Sequence, residues 1–72
     1  MDMQLTIQHE FAHAKLKEAR KRIGWTQSDL AFAMNCTPYT VQNWETGFVQ
    51  PPVKRLIRLC EVLEIDVRDL FV

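Results

Sequence analysis

No apolar run in this 72-residue chain approaches the roughly 18 residues that a membrane-spanning helix needs. The N-terminus has no basic segment followed by an apolar one, so a secretory signal is not expected either. Cysteine is scarce: Cys36 and Cys60 are the only two. The helical pattern assigns both to the core, as buried free thiols of a reducing cytoplasm, not a disulfide framework. An excess of charge is missing too. Nine Lys and Arg balance nine Asp and Glu, for a net charge of zero, so overall basicity does not announce a nucleic-acid partner. Repeats, low-complexity tracts and alternating strand patterns are absent. What is present is a chain 47% hydrophobic, which suits a folded helical domain and argues against disorder. Its length is that of one domain, near the lower limit for a core that needs neither disulfide nor metal.

Charge is distributed more tellingly than it sums. Lys15, Lys17, Arg20, Lys21 and Arg22 cluster against Glu18, and Lys54, Arg55 and Arg58 form a second basic group. Glu61, Glu64, Asp66 and Asp69 load the C-terminal end with negative charge. The reading is of a dipolar molecule that offers a locally positive face to phosphate, although solvation of helix surfaces accounts equally for Lys15 and Lys17.

Apolar spacing predicts an all-α fold, a compact bundle of about five short helices. Residues 1–10 read as an N-terminal arm or the start of the first helix, and residues 11–72 as the domain. Leu5 and Ile7 make no helical stripe, which leaves residues 1–8 open between arm, strand and extra turn. The first helix is expected to start between Thr6 and Glu10 and to end at Gly24, with Ala12, Leu16, Ala19 and Ile23 inward. Pro51 and Pro52 place a loop from Phe48 to Pro52. A helix follows with Val53, Leu56, Ile57, Cys60 and Leu63 inward. Asp66 then caps a short last helix carrying Val67, Leu70 and Phe71, with Asp69 at its third position.

The stretch from Thr26 to Gly47, TQSDLAFAMNCTPYTVQNWETG, carries the functional signal. Thr26 and Asp29 form a capping-box-like pair, and Leu30, Ala31 and Met34 share one helical face. Asn35 sits where the chain must reverse, because Asn tolerates the left-handed conformation. Thr37 and Pro38 start another helix, whose inner face holds Val41 and Trp44 and which Gly47 ends. Helix, short turn and helix with a polar outer face is the helix-turn-helix arrangement. The phrases GWTQSDLA and TVQNWETG resemble signature segments of the lambda-repressor/Cro-like (XRE) family of phage and bacterial regulators, and the resemblance extends more weakly from Leu16 to Phe71. Asn35 departs from it, standing where that family most often has Gly. The absence of Lys and Arg from the second helix is another departure.

A recognition helix enters the major groove by its N-terminal turns. Over residues 38–46, the outward side chains there are Pro38, Tyr39, Thr40, Gln42 and Asn43. Asn and Gln can pair with adenine, Thr can donate or accept, and Pro and Tyr can meet thymine methyls. Uncharged groups read sequence but add little general affinity, so phosphate contacts must supply that part. Gln27 begins a helix whose free amides suit a phosphate, and the resemblance makes it a phosphate or base contact. The resemblance also implies a structural ion pair between Arg20 and Glu45, tying the first helix to the recognition helix.

His9-Glu10-Phe11-Ala12-His13 spells HExxH, the zinc-protease pattern. A catalytic site also needs a third ligand, a cleft and supporting residues, for which a chain of this size has little room. Trp25 and Phe32 have no assigned partner, and Phe32 is expected to face solvent. The leading reading is a non-enzymatic, sequence-specific DNA-binding transcriptional regulator whose partners are double-stranded DNA and a second copy of itself, without cofactor, metal, membrane or small-molecule substrate. The alternative is a protein-interaction module, an antitoxin or adaptor, on the same fold with weak DNA binding. One such motif covers half a site, so a homodimer is expected, with Leu70, Phe71 and Val72 as its surface unless they close the monomer's core.

Overall fold

A computed structural model describes residues 10–72; readings that concern residues 1–9 lie outside it. Four α-helices, α1 (His13–Arg22), α2 (Gln27–Met34), α3 (Pro38–Thr46) and α4 (Val53–Leu63), are followed by a 3-10 helix, Val67–Leu70.

Their boundaries follow from local chemistry. At α2, the Thr26 hydroxyl accepts from the Asp29 amide and the Asp29 carboxylate accepts from the Thr26 amide, a reciprocal capping box. The helix ends at Asn35, which takes the left-handed conformation (φ 57°, ψ 47°), while the Cys36 amide reaches back to the Ala31 carbonyl. This closure satisfies carbonyls that would otherwise be orphaned. Thr37 caps α3 through the Thr40 amide, Pro38 fills the first turn and Gly47 (φ 82°) ends the helix. Asp66 and Asp69 form the second capping box, at the 3-10 helix.

The core is one cluster to which every helix contributes: Leu16 and Ala19 from α1, Leu30, Ala31 and Met34 from α2, Val41 and Trp44 from α3, Leu56, Leu59 and Leu63 from α4, and Leu70. α3 packs against both α1 and α2, α2 also packs against α4, and the 3-10 helix closes against α1 and α4.

Four expectations are corrected. α1 starts at His13, not between Thr6 and Glu10. The backbones of residues 10–12 are occupied elsewhere: Ala12 donates to the Leu70 carbonyl (2.8 Å), and Glu10 and Val72 exchange bonds of 3.3 and 2.9 Å. Ile23 is 41% exposed and Arg20 is buried in α1 in its place. Along α4, Val53 and Ile57 are 72% and 57% exposed and Leu59 is fully buried, so the inward stripe lies on the other side of Leu56. Leu70 is fully buried, and the Phe71 ring packs edge-on against Phe11 with centroids 6.1 Å apart. Leu70 and Phe71 thus close the monomer's core, the alternative left open for the C-terminal tail, while Val72 stays exposed. Cys36 and Cys60 are free and half-buried, less deep than a core position, and burial raises both thiol pKa values.

Candidate nucleic-acid interface

The recognition helix is held by an ionic knot at its C-terminal end. Arg20 Nε donates to Glu45 Oε2 (2.6 Å) and Arg20 Nη2 donates to Oε1 (3.0 Å). The third guanidinium nitrogen donates to the Trp25 carbonyl (2.7 Å), which fixes the chain between α1 and α2. Gln27 Nε2 donates to Glu45 Oε1 (3.1 Å) from the first position of α2. His13 Nδ1 lies 3.0 Å from the Glu45 carbonyl, so the first residue of α1 also grips the end of α3. A single glutamate therefore joins three helices. The Glu45 hydrogen bond raises the Arg20 pKa, against the opposing pull of burial. A bidentate guanidinium–carboxylate pair fixes direction as well as distance, so α3 has little freedom to rotate or slide on α1.

The opposite side of α3 is open. Pro38, Tyr39 and Gln42 are exposed, Tyr39 by 68%, and Thr40 and Asn43 are half-buried. Thr40 Oγ1 lies 3.1 Å from Thr37 Oγ1, which ties its hydroxyl to the cap. The Asn43 carbonyl accepts from the Val49 amide (3.1 Å), folding the following loop back on the helix. Val41 and Trp44 point the other way, into the core. Gln27 departs from its sequence reading in one respect: its side chain is half-buried and one N–H is engaged by Glu45. The amides of Gln27 and Ser28, in the first turn of α2, have no intrahelical acceptor.

Several cations have structural employment. Arg20 is in the knot, Arg55 Nη1 donates to the Met34 carbonyl at the end of α2, Arg58 pairs with Glu61 and Arg68 with Asp66. Among the described residues, Lys15, Lys17, Lys21, Arg22 and Lys54 are exposed and take part in no ion pair. The grip of His13 and Gln27 on Glu45 has no signature in the sequence, since both contacts join residues distant in the chain. HExxH does not form the helical turn that zinc proteases use: Phe11 is bridged to Phe71, Ala12 is extended and α1 begins at His13. His9 lies outside the described residues. Phe32 is 89% exposed and Trp25 packs half-buried on the core.

Comparison with known proteins agrees with this geometry. The family model described as helix-turn-helix matches residues 16–70. The chain belongs to that family, in its lambda-repressor/Cro-like form. Among solved structures it is similar to the restriction-modification controller protein C.AhdI from Aeromonas hydrophila, with 29% identity and a TM-score of 0.76, covering 82% of this chain and 86% of that one. It is similar in fold to SinR, a master regulator for biofilm formation solved in complex with DNA, with 24% identity and a TM-score of 0.74, covering 81% of this chain and 97% of that one. Hydroxypropylphosphonic acid epoxidase from S. wedmorenis matches with 28% identity and a TM-score of 0.77, but the chain spans only 32% of that enzyme's length. No curated protein matches. No helix among the described residues is long and apolar enough to cross a membrane.

Proposed function

We propose that this protein is a sequence-specific DNA-binding transcriptional regulator that acts without catalysis, as a homodimer on a two-fold site. The observation that carries the reading is the outward face of α3, where Tyr39, Gln42 and Asn43 stand opposite a buried Val41–Trp44 edge. α3 enters the major groove, Gln42 and Asn43 read base edges through their carboxamides, and Pro38, Tyr39 and Thr40 line the same surface. The amides at the start of α2 receive a phosphate, with Gln27 beside them. Lys21 and Arg22 are exposed cations available for neighbouring phosphates. The Arg20–Glu45 pair is architectural: it sets the angle at which α3 is presented. Residues 11–72 are the DNA-binding unit. The fold shared with C.AhdI, a controller protein, and with DNA-bound SinR supports this reading. The epoxidase reaction is not carried over, because so small a share of that chain is matched.

A second reading, a protein-interaction module on the same fold, is favoured by the exposure of Phe32 and by the absence of cations from α3. Selection of bound sequences from a randomised duplex pool, followed by binding at several salt concentrations, separates the two. Enrichment of a two-fold site and salt-dependent affinity support the regulator; no enrichment and no salt-dependent shift support the interaction module.

A further inference from the structure

The exposed side of α4 has an ordered chemistry along its length. Val53, Lys54, Ile57 and Glu61 recur at helical spacing on the side away from Leu56, Leu59 and Leu63, the left-handed cap residue Glu64 follows the helix end, and all five are exposed. The first turn is basic and apolar, the middle holds Ile57 with the exposed Arg58 at its edge paired to Glu61, and the end is acidic. Val53 and Ile57 are among the most exposed aliphatic side chains of the described residues. Neither is needed by the core, by the Glu45 knot or by the outward face of α3.

We propose that this face docks a second copy of the same chain, with the two α4 helices antiparallel across a two-fold axis near Ile57. The inference rests on the homodimer reading and adds the surface and its orientation. Charge order selects the arrangement. An isologous contact places each residue against the same patch of the partner. In an antiparallel pair, the basic first turn of one helix meets the acidic end of the other, so Lys54 approaches the second copy's Glu61–Glu64 end from both sides of the axis. A parallel pair would set Lys54 beside Lys54 and acid beside acid, which like-charge repulsion disfavours. Val53 and Ile57 fill the space between the charged ends and are the groups that leave water. Glu61 already accepts from Arg58 within its own helix (3.0 Å), and this pair is exposed at both ends, so sharing Glu61 with Lys54 across the axis costs no buried contact. Two aliphatic side chains per copy make a small interface, so the dimer is concentration-dependent in solution and strengthened when both copies occupy one DNA site.

Sedimentation equilibrium of the full chain tests this with four variants. Ile57→Asp, at a position the core does not use, is expected to run as a monomer with unchanged helical circular dichroism. Lys54→Glu and Glu61→Lys should each weaken self-association by at least about tenfold, and the double variant should recover most of it, because the swap restores opposite charges across the axis. Dimerisation of Ile57→Asp at the wild-type constant, or a double variant weaker than both singles, overturns the proposal. So does a wild type that stays monomeric both free at high concentration and on a duplex recovered from a randomised pool. The DNA reading fails separately: a wild type that dimerises through Ile57 yet enriches no sequence from the pool keeps this interface and loses the regulator. A wild type that binds its selected duplex as a dimer, with Ile57→Asp binding equally well and also as a dimer, keeps the regulator and loses this interface.

Discussion

Arg20 and Glu45, 25 residues apart in the chain, meet through two hydrogen bonds of 2.6 and 3.0 Å, with side-chain exposures of only 7% and 2%. Removing one partner strands a buried charge, which typically costs about 3–5 kcal/mol. Glu45→Ala is therefore expected to melt far below wild type. Arg20→Met combined with Glu45→Leu should be milder than the sum of the singles, since it leaves neither charge unpaired. Thermal melts of wild type, Glu45→Ala, Arg20→Met, Glu45→Leu and the Arg20→Met, Glu45→Leu double variant check this; additive losses in the last three would show that the pair is not coupled.

Trp44→Ala should cost on the order of 3–5 kcal/mol, the usual range for deleting a buried aromatic side chain. Trp44 is 3% exposed and holds α3 on the core. For a domain of this size such a loss approaches the whole stability. A near-native melt would place Trp44 outside the core.

Much of the helix-turn-helix was legible in the sequence because its signals are local. Thr26 with Asp29, Thr37 with Pro38, and Asp66 with Asp69 all cap within one turn, and Asn35 marked the reversal by its own backbone tolerance. The errors lie where two choices look alike locally. α4 carries aliphatic residues round most of its circumference, so Ile57 and Leu59 compete as core residues and only packing decides between them. Helical period alone puts Ile23 on the inner face of α1, whereas the helix turns Arg20 inward to reach Glu45. The start of α1 at His13 is set by the pairing of residues 10–12 with 70–72, a contact between the two ends of the domain that local sequence does not reveal. The outward face of α3 could be read from helical period; the engagement of Gln27 and His13 with Glu45 could not.

That difference in register gives another test. Leu59→Ala should destabilise by about 2–5 kcal/mol and Ile57→Ala by far less in the monomer, since Leu59 is fully buried and Ile57 is not. Chemical denaturation at low protein concentration, where self-association does not contribute, measures both. The reverse ranking would restore the stripe first read from the sequence.

A side chain at Gly47 is disfavoured for two separate reasons. Its φ of 82° is left-handed, and a Cβ there would meet the His13 ring at 2.7 Å. Gly47→Ala should cost about 1–2 kcal/mol from backbone strain alone, plus the clash. Adding His13→Ala should recover the clash but not the strain. Full recovery, or none, would contradict the geometry.

Acid should weaken the start of α2. Hydrogen bonds from the Thr26 amide and hydroxyl hold the Asp29 carboxyl below its ordinary value of 3.8. A depressed folded pKa contributes stability that is present above the unfolded value and lost as pH falls through the folded one. Asp29→Asn should therefore lie below wild type at neutral pH and converge on it below the ordinary value. Melting temperatures across that range check the convergence; a gap that stays constant to low pH would mean that the carboxylate's charge is not what caps the helix.

The most direct measurement compares Gln42→Ala and Asn43→Ala with wild type on the duplex selected from a randomised pool and on random duplex of equal length. If α3 reads bases through these side chains, each change weakens binding to the selected duplex by about 1–3 kcal/mol. Random duplex should be bound almost unchanged, with the same salt slope, and the fold should melt as wild type does. Equal losses on both duplexes, or none on either, would contradict the assignment of α3 as the sequence-reading helix.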